Sequence, residues 1–487
     1  MLKRIFRMPL LLLALADAGS AMAQDAPQYR VVLDANAAHA DVQLCLGGQH
    51  KAVAFAADSA WAKRFVDALK RSSGRSLEAT TTGWRAADWQ PGECLGYRAD
   101  IGAIADQHEP DVGWKRGDDK VAAPQLWLLR PDVQGDADAQ VGIVLPPGWN
   151  VSAPWRELGR DGQSIRFRIP NTPPDWSSAV AFGTFTEERI VLPGGMLRLA
   201  ILRDGDAAEH AKLRAWLDRV AKASLSAYGR LPLAEVQVLM IPVDNDRGAV
   251  IFGQSVRGQG NALELLIDPT RPAAEFDDDW MAVHELSHLM HPYLGDRGAW
   301  LSEGLATYYQ NLLRARAGLL TAVQAWDRLA AGFRRGAKSV GDETLEQVAQ
   351  DMHRSHAFQR VYWAGAAYWL TVDTDLRRAS HGAMTLDIAL SRFRDCCLPA
   401  YRQWQPADFV ARLDALTRTG VFSTRYREFA QMRAFPEWAK VYETLGIGSG
   451  AERLVFDANA GGAAIREAIM APRPALPAAA KAEAGSP

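Results

Sequence analysis

From residue 24 to about residue 206, apolar positions fall in short runs that partly alternate with polar ones and end at Gly, Pro or Asp. YRVVLDA (29–35), QLWLLR (125–130) and SIRFRIP (164–170) have the length and spacing of strands. ERIVLPGGMLRLAILRDG (188–205) reads as a hairpin around Pro193, Gly194 and Gly195. A helical insertion is expected near 59–70. At about Ala207 the period changes, because Leu213, Trp216, Leu217 and Val220 recur at helical spacing. VQVLMIPV (236–243) and ALELLID (262–268) are two more expected strands. After the break PTRPAAEFDDD the pattern is helical to about Gly448, and the closing APRPALPAAAKAEAGSP reads as disordered. The expected chain is α+β and multidomain: a signal segment (1–23), a β-rich N-terminal domain (24–206), a central domain (207–385), a C-terminal helical domain (386–465) and a tail (466–487).

Composition narrows the function classes. The 487 residues are 48% hydrophobic and 23% charged, with 55 basic against 57 acidic residues. No basic block stands out, so no nucleic-acid partner is expected. Lys3, Arg4 and Arg7 precede an apolar run from Met8 to Ala16, and Ala21, Met22 and Ala23 form a small-residue cleavage site. The run stops at Asp17, short of the roughly 20 apolar residues of a membrane span. This pattern predicts export to the periplasm or medium, with no stable membrane span; the oligomeric state stays open. Cys45 and Cys94 can pair in that compartment, while the adjacent Cys396 and Cys397 permit a vicinal disulfide, free thiols or bridges elsewhere.

The candidate chemistry lies in HELSHLMHPYLGDRGAWLSEGLATYY (284–309). Asp277, Asp278 and Asp279 suit a helix start, and Pro292 and Gly295 an end near Leu294. Four residues apart, His284 and His288 share one helix face, where two imidazoles can meet one zinc ion. Glu285 sits about 100° round the helix, beside the metal, placed to take a proton from water there. Such a pattern also arises by chance on helices that merely carry histidines. The third ligand could be His291 or Glu303. His291 is two turns along the same helix, roughly 10 Å from His284 at about 1.5 Å per residue, too far for one metal. Glu303, from a second helix, completes a two-His, one-Glu set with an open fourth position. His291 is then expected to line the cleft or lie on the surface.

HELSH followed by WLSEGLATYY resembles the gluzincin zinc metallopeptidases, closest to the glycyl aminopeptidase branch and more distantly to aminopeptidase N. YGRLPLAEVQVLMIPV (228–243), VYWAGAAYWLTVDTDLRR (361–378), LPPGWNVSAPW and NTPPDWSSAVAFGTF extend the likeness over about 140–450. The resemblance implies a thermolysin-like zinc catalytic domain that hydrolyses peptide bonds, one Zn²⁺ on His284, His288 and Glu303, Glu285 as general base, and Tyr362 as oxyanion donor. It implies a peptide or protein substrate and aminopeptidase-like action. The chain departs from the family pattern in a short His288–Glu303 loop and in lacking a clear PDZ-like domain. It also lacks an acid in FGQSVRG (252–258), where the family's amine-binding glutamate is expected, leaving Glu264 as a substitute. An endopeptidase on the same scaffold and a non-catalytic zinc-containing binding protein are the competing readings.

Overall fold

A computed structural model describes residues 26–57, 59–202, 206–339, 341–450 and 453–471. The signal segment and the last part of the tail lie outside them. Strand Gln28–Leu33 turns Tyr29, Val31 and Leu33 inward. It pairs antiparallel with His39–Cys45 and parallel with Ala139–Val144 in a seven-stranded sheet. Two four-stranded sheets complete a β-rich N-terminal unit whose core includes Trp89, Trp127 and Trp155. Cys45 and Cys94 stand opposite one another on adjacent strands and form a disulfide; Cys396 and Cys397 form another.

Two local expectations fail here. QLWLLR is a 3₁₀ turn, Pro124–Leu126, followed by irregular chain. Pro124 starts the turn, and Leu126 to Leu129 are all buried, so the run plugs the core instead of alternating across a sheet. The helix expected at 59–70 is one 3₁₀ turn, Ala62–Phe65, and then a strand, Val66–Arg71. Pairing of that strand with Cys94–Asp100 outweighs local helix preference.

The second unit is built on a five-stranded sheet, in the order Glu187–Leu192, Gly195–Ile201, Glu235–Pro242, Ala262–Ile267, Val250–Val256. Its three middle strands are parallel. The hairpin assigned to the N-terminal domain therefore belongs here, and the change of unit falls nearer residue 187 than 207. Both faces are covered, which explains the near-continuous apolar runs. Val238, Met240, Leu263 and Leu265 face the helices, whereas Leu239, Ile241 and Leu266 face Val121, Ala179 and Ala181 of the N-terminal unit. The edge strand Val250–Val256 continues into a loop held by that unit: Trp155 Nε1 donates to Gln259 Oε1, and the Gln259 amide to Thr172 Oγ1.

Helices from Ala207 to Met470 share one hydrophobic core with the sheet. Three matter for the site: the histidine helix Met281–His288, the glutamate helix Ala299–Arg316 and the tyrosine helix Phe358–Ala379. The last two cross at Gly304 and Gly365, where a Cβ on either would meet the other's backbone. A buried network ties them to the helix Leu386–Cys397. Asp387 accepts from Tyr309 (2.7 Å) and Arg316 (3.1 Å), and Asp373 accepts from Tyr308 (3.2 Å) and Arg377 (3.0 Å).

The expected tail begins too early. Residues 466–470 complete the helix Ala463–Met470, because Ile469 is buried and the Arg466 guanidinium holds the Leu445, Gly446 and Asp457 carbonyls. Among the described residues no helix is long and apolar enough to cross a membrane. Removing one partner of a buried ion pair leaves an uncompensated charge, so Asp387→Ala is expected to cost about 3–5 kcal/mol. Urea unfolding followed by tryptophan fluorescence checks this.

Candidate metal centre

The three aspartates before the histidine helix divide the work. Asp277 pairs with Arg219 (2.7 Å) and Asp278 with Arg328 (2.6 Å); only Asp279 reaches the helix start, accepting from the Met281 amide at 2.7 Å. The helix ends at His288, one and a half turns before the expected Leu294. Pro292 disfavours helical backbone at the residue before it, and the half-buried Arg257 guanidinium donates to the His288 carbonyl at the helix C-terminus, where a cation is favourable.

His284, His288 and Glu303 come together, their ligand atoms all within 4.8 Å of one another. His284 Nε2 and His288 Nε2 are 3.2 Å apart, and Glu303 Oε2 lies 3.2 Å from the first and 3.5 Å from the second. Their outer nitrogens are engaged: His284 Nδ1 faces Gln310 Oε1 at 2.8 Å, and His288 Nδ1 lies 3.2 Å from Ser302 Oγ and 3.4 Å from His291 Nε2. With Nδ1 so engaged, each Nε2 faces the Glu303 carboxylate: as N–H it donates to that oxygen, and deprotonated it offers its lone pair to a cation. Three acceptor atoms converging in a buried space suit a cation, and two imidazoles with one carboxylate suit zinc.

The electrostatics agree with that arrangement. Burial raises the Glu303 carboxyl, but His288 and the hydrogen bonds from both histidines outweigh it and hold Glu303 well below the usual range. Burial lowers His284, but the Glu303 hydrogen bond and the charges of Glu285 and Glu303 push it up. His291 is not at the surface or in the cleft as expected. It is buried, its Nδ1–H donates to the Pro292 carbonyl at 2.7 Å, and it supports His288 from behind. Burial, then the charges of Arg257 and His288, keep its pKa well below the ordinary value, so it is neutral.

Tyr362 stacks on the His284 ring, with centroids 5.9 Å apart and planes 16° apart. Burial, then the charges of Glu303 and Glu285, raise its pKa. Glu285 sits against the edge strand: Ser255 Oγ donates to its carbonyl, and a Cβ at Gly253 would lie 3.1 Å from its Cγ and 2.9 Å from Met281 Cγ. Sequence reasoning missed Gln310, Ser302, Ser255 and Arg257. Only Gln310, seven residues after Glu303 and so two turns along the same helix face, carried a spacing signal.

Glu264 is not at the cleft. It shares strand parity with Leu266, so it faces the N-terminal unit, where Gln254 Nε2 bridges Glu264 Oε2 (3.0 Å) and Asp111 Oδ1 (3.2 Å). Burial, and secondarily the Asp111 charge, raise Glu264 from 4.5 to about 7. A carboxyl with a raised folded pKa stabilises the fold below its unfolded pKa and loses that contribution as pH rises through the folded one. The protein is therefore expected to lose stability between about pH 4.5 and pH 7 from this group, and Glu264→Gln to flatten that slope. Denaturation midpoints across this range check it.

Comparison with known proteins adds a family and a fold. A model of the M61 glycyl aminopeptidase family matches residues 283–367, which span both ligand helices and the start of the tyrosine helix. No curated protein matches the chain in sequence at a significant level. Among solved structures, an aminopeptidase N family protein from Idiomarina loihiensis is similar at 14% identity and a TM-score of 0.67, over 86% of this chain and 78% of that one. An M1 zinc metallopeptidase from Deinococcus radiodurans is similar at 14% identity and a TM-score of 0.50, over 85% and 94%. A mutant of an M1 zinc metallopeptidase from Deinococcus radiodurans, bound to a Tyr-Ser-Ala substrate, is similar at the same identity and score, over 85% and 95%. The chain thus resembles the gluzincin zinc metallopeptidases, the glycyl aminopeptidases in the helices of its metal centre and the aminopeptidase N family in its fold.

Proposed function

We propose that this protein is an exported zinc metallopeptidase with aminopeptidase-like architecture, in which His284, His288 and Glu303 hold one zinc ion. The convergence of these three groups in a buried space beside Glu285 and Tyr362 carries the reading. Bound there, zinc supplies a Lewis acid and makes water a stronger acid, with a pKa near about 7. Glu285 accepts the proton of the attacking water and passes it to the leaving amine. The Tyr362 hydroxyl, kept protonated by burial, donates to the oxygen on which negative charge develops. Gln310 and Ser302 orient the two imidazoles.

Export is supported by the pattern of residues 1–23 and by two disulfides, which persist in oxidising compartments. An endopeptidase is favoured by one observation. The edge strand Val250–Val256 carries no acid, and Glu264 faces the other side of the sheet, so neither offers a carboxylate to a substrate's free amine.

Digestion of a mixed peptide library by the zinc-loaded protein, read by mass spectrometry, tests these readings. Loss of single N-terminal residues supports the aminopeptidase, internal cuts the endopeptidase, and no cleavage defeats both. Glu285→Gln is expected to keep zinc and lose hydrolysis; a fully active variant would sink the mechanism. Gln310→Ala is expected to weaken zinc binding about 10–100-fold by freeing His284, and Glu303→Ala to weaken it further. Competition with a zinc chelator measures both.

A further inference from the structure

A cavity of about 400 Å³ opens beside the metal centre. Its near wall is made of Trp280, Gln310 and Tyr362, each in contact with the His284 ring. Its far wall carries Arg314, Arg328 and Arg335, and no Asp or Glu lines it among the described residues. Arg314 is fully buried on the glutamate helix. Its Nη2 donates to the Asp277 and Asp278 carbonyls (3.2 and 2.7 Å), while Nε and Nη1 have no hydrogen-bond partner among the described residues. Thr307, which also lines the cavity, has a buried Oγ1 likewise without a partner among the described residues.

The neighbouring acids leave positive charge in excess. Asp278 takes Arg328 at 2.6 Å and stands 3.7 Å from Arg314. Asp279 is engaged by the Met281 amide. Arg335 lies over the Trp363 ring, 5.2 Å from its centroid, and donates to Gln359 Oε1 at 3.4 Å. Burial, then the charge of Arg328, lower Arg314 to about 10, so it remains a cation at neutral pH.

We propose that this cavity is a carboxylate subsite: an acidic side chain or a free chain terminus flanking the scissile bond docks on the arginines beside His284. The proposal rests on the peptidase reading for its substrate class. The accessible guanidinium groups of Arg328 and Arg335 match a carboxylate in geometry and charge, the buried Arg314 adds positive charge behind them, and a neutral group in the same place gains neither benefit. At about 400 Å³ the cavity is large enough for a side chain, and Gln310 and Tyr362, which line it, also touch His284.

Binding to the zinc-loaded Glu285→Gln protein, measured by isothermal titration calorimetry, tests this without turnover. The probes are tetra-alanine with a free C-terminus, its C-terminal amide, and the amide carrying Glu or Gln at each position in turn. The carboxylate-bearing peptides are expected to bind about tenfold more tightly than their neutral partners; the terminal and side-chain arms show which source the site takes. Arg328→Gln and Arg335→Gln together are expected to bring that ratio close to one. They are chosen over Arg314, whose removal would also release two backbone carbonyls, and Arg335→Gln alone, at an exposed position, should lower the ratio in part. Equal affinities for charged and neutral peptides, or a ratio unchanged in the double variant, overturn the subsite. Cleavage of neutral peptides by the unsubstituted protein alongside equal affinities would defeat the subsite and leave the peptidase. A preserved preference with no cleavage of any peptide would do the reverse.

Discussion

The metal centre depends on how closely two helices can cross. Packed helices usually keep their axes about 8–10 Å apart, a distance set by the side chains between them. At Gly304 and Gly365 there are none, and the glutamate and tyrosine helices meet backbone to backbone. Glu303 immediately precedes one of these glycines, and Tyr362 sits one turn before the other. The crossing therefore sets where Tyr362 lies relative to Glu303, and with it the stacking of Tyr362 on His284. A single methyl group at either glycine would push apart two helices that contribute to one site.

A second close approach works the same way on the opposite side. Gly253 lets the histidine helix lie against the edge strand so that Glu285 is pressed against the sheet. That strand is anchored by the N-terminal unit through Trp155, Thr172 and Gln259, so the β-rich half of the chain fixes one wall of the cleft without supplying a ligand.

The grouping of His284, His288 and Glu303 was readable in the sequence because its signal is local. Helical spacing places His284 and His288 on one face, and reach along the axis favours Glu303 over His291. The α+β organisation was equally legible from the change of period near Ala207. What was hidden depends on contacts between distant segments. The helix ends at His288 because of Pro292 and of Arg257, which arrives from the edge strand. The role of His291 depends on Ser302, across the turn. Glu264 was a plausible cleft acid until strand parity turned it to the other face. QLWLLR has the composition of a strand, but Pro124 starts a 3₁₀ turn there and the buried run that follows fills the core without pairing in a sheet. The parallel pairing of Gly195–Ile201 with Glu235–Pro242, which moves the hairpin into the second unit, joins segments with a whole helix between them.

The charge network beneath the glutamate helix sets the size of the working unit. Arg316, at the foot of the helix that carries Glu303, reaches Asp387 and the Ile469 carbonyl, both far downstream in the chain. Cut away from them, the two ligand helices would keep a guanidinium in an apolar interior with no counter-ion. The short segment that carries the recognisable motif is thus not a transplantable cassette. Any piece able to present the three groups must reach at least from the first strand of the sheet to the helix ending at Met470.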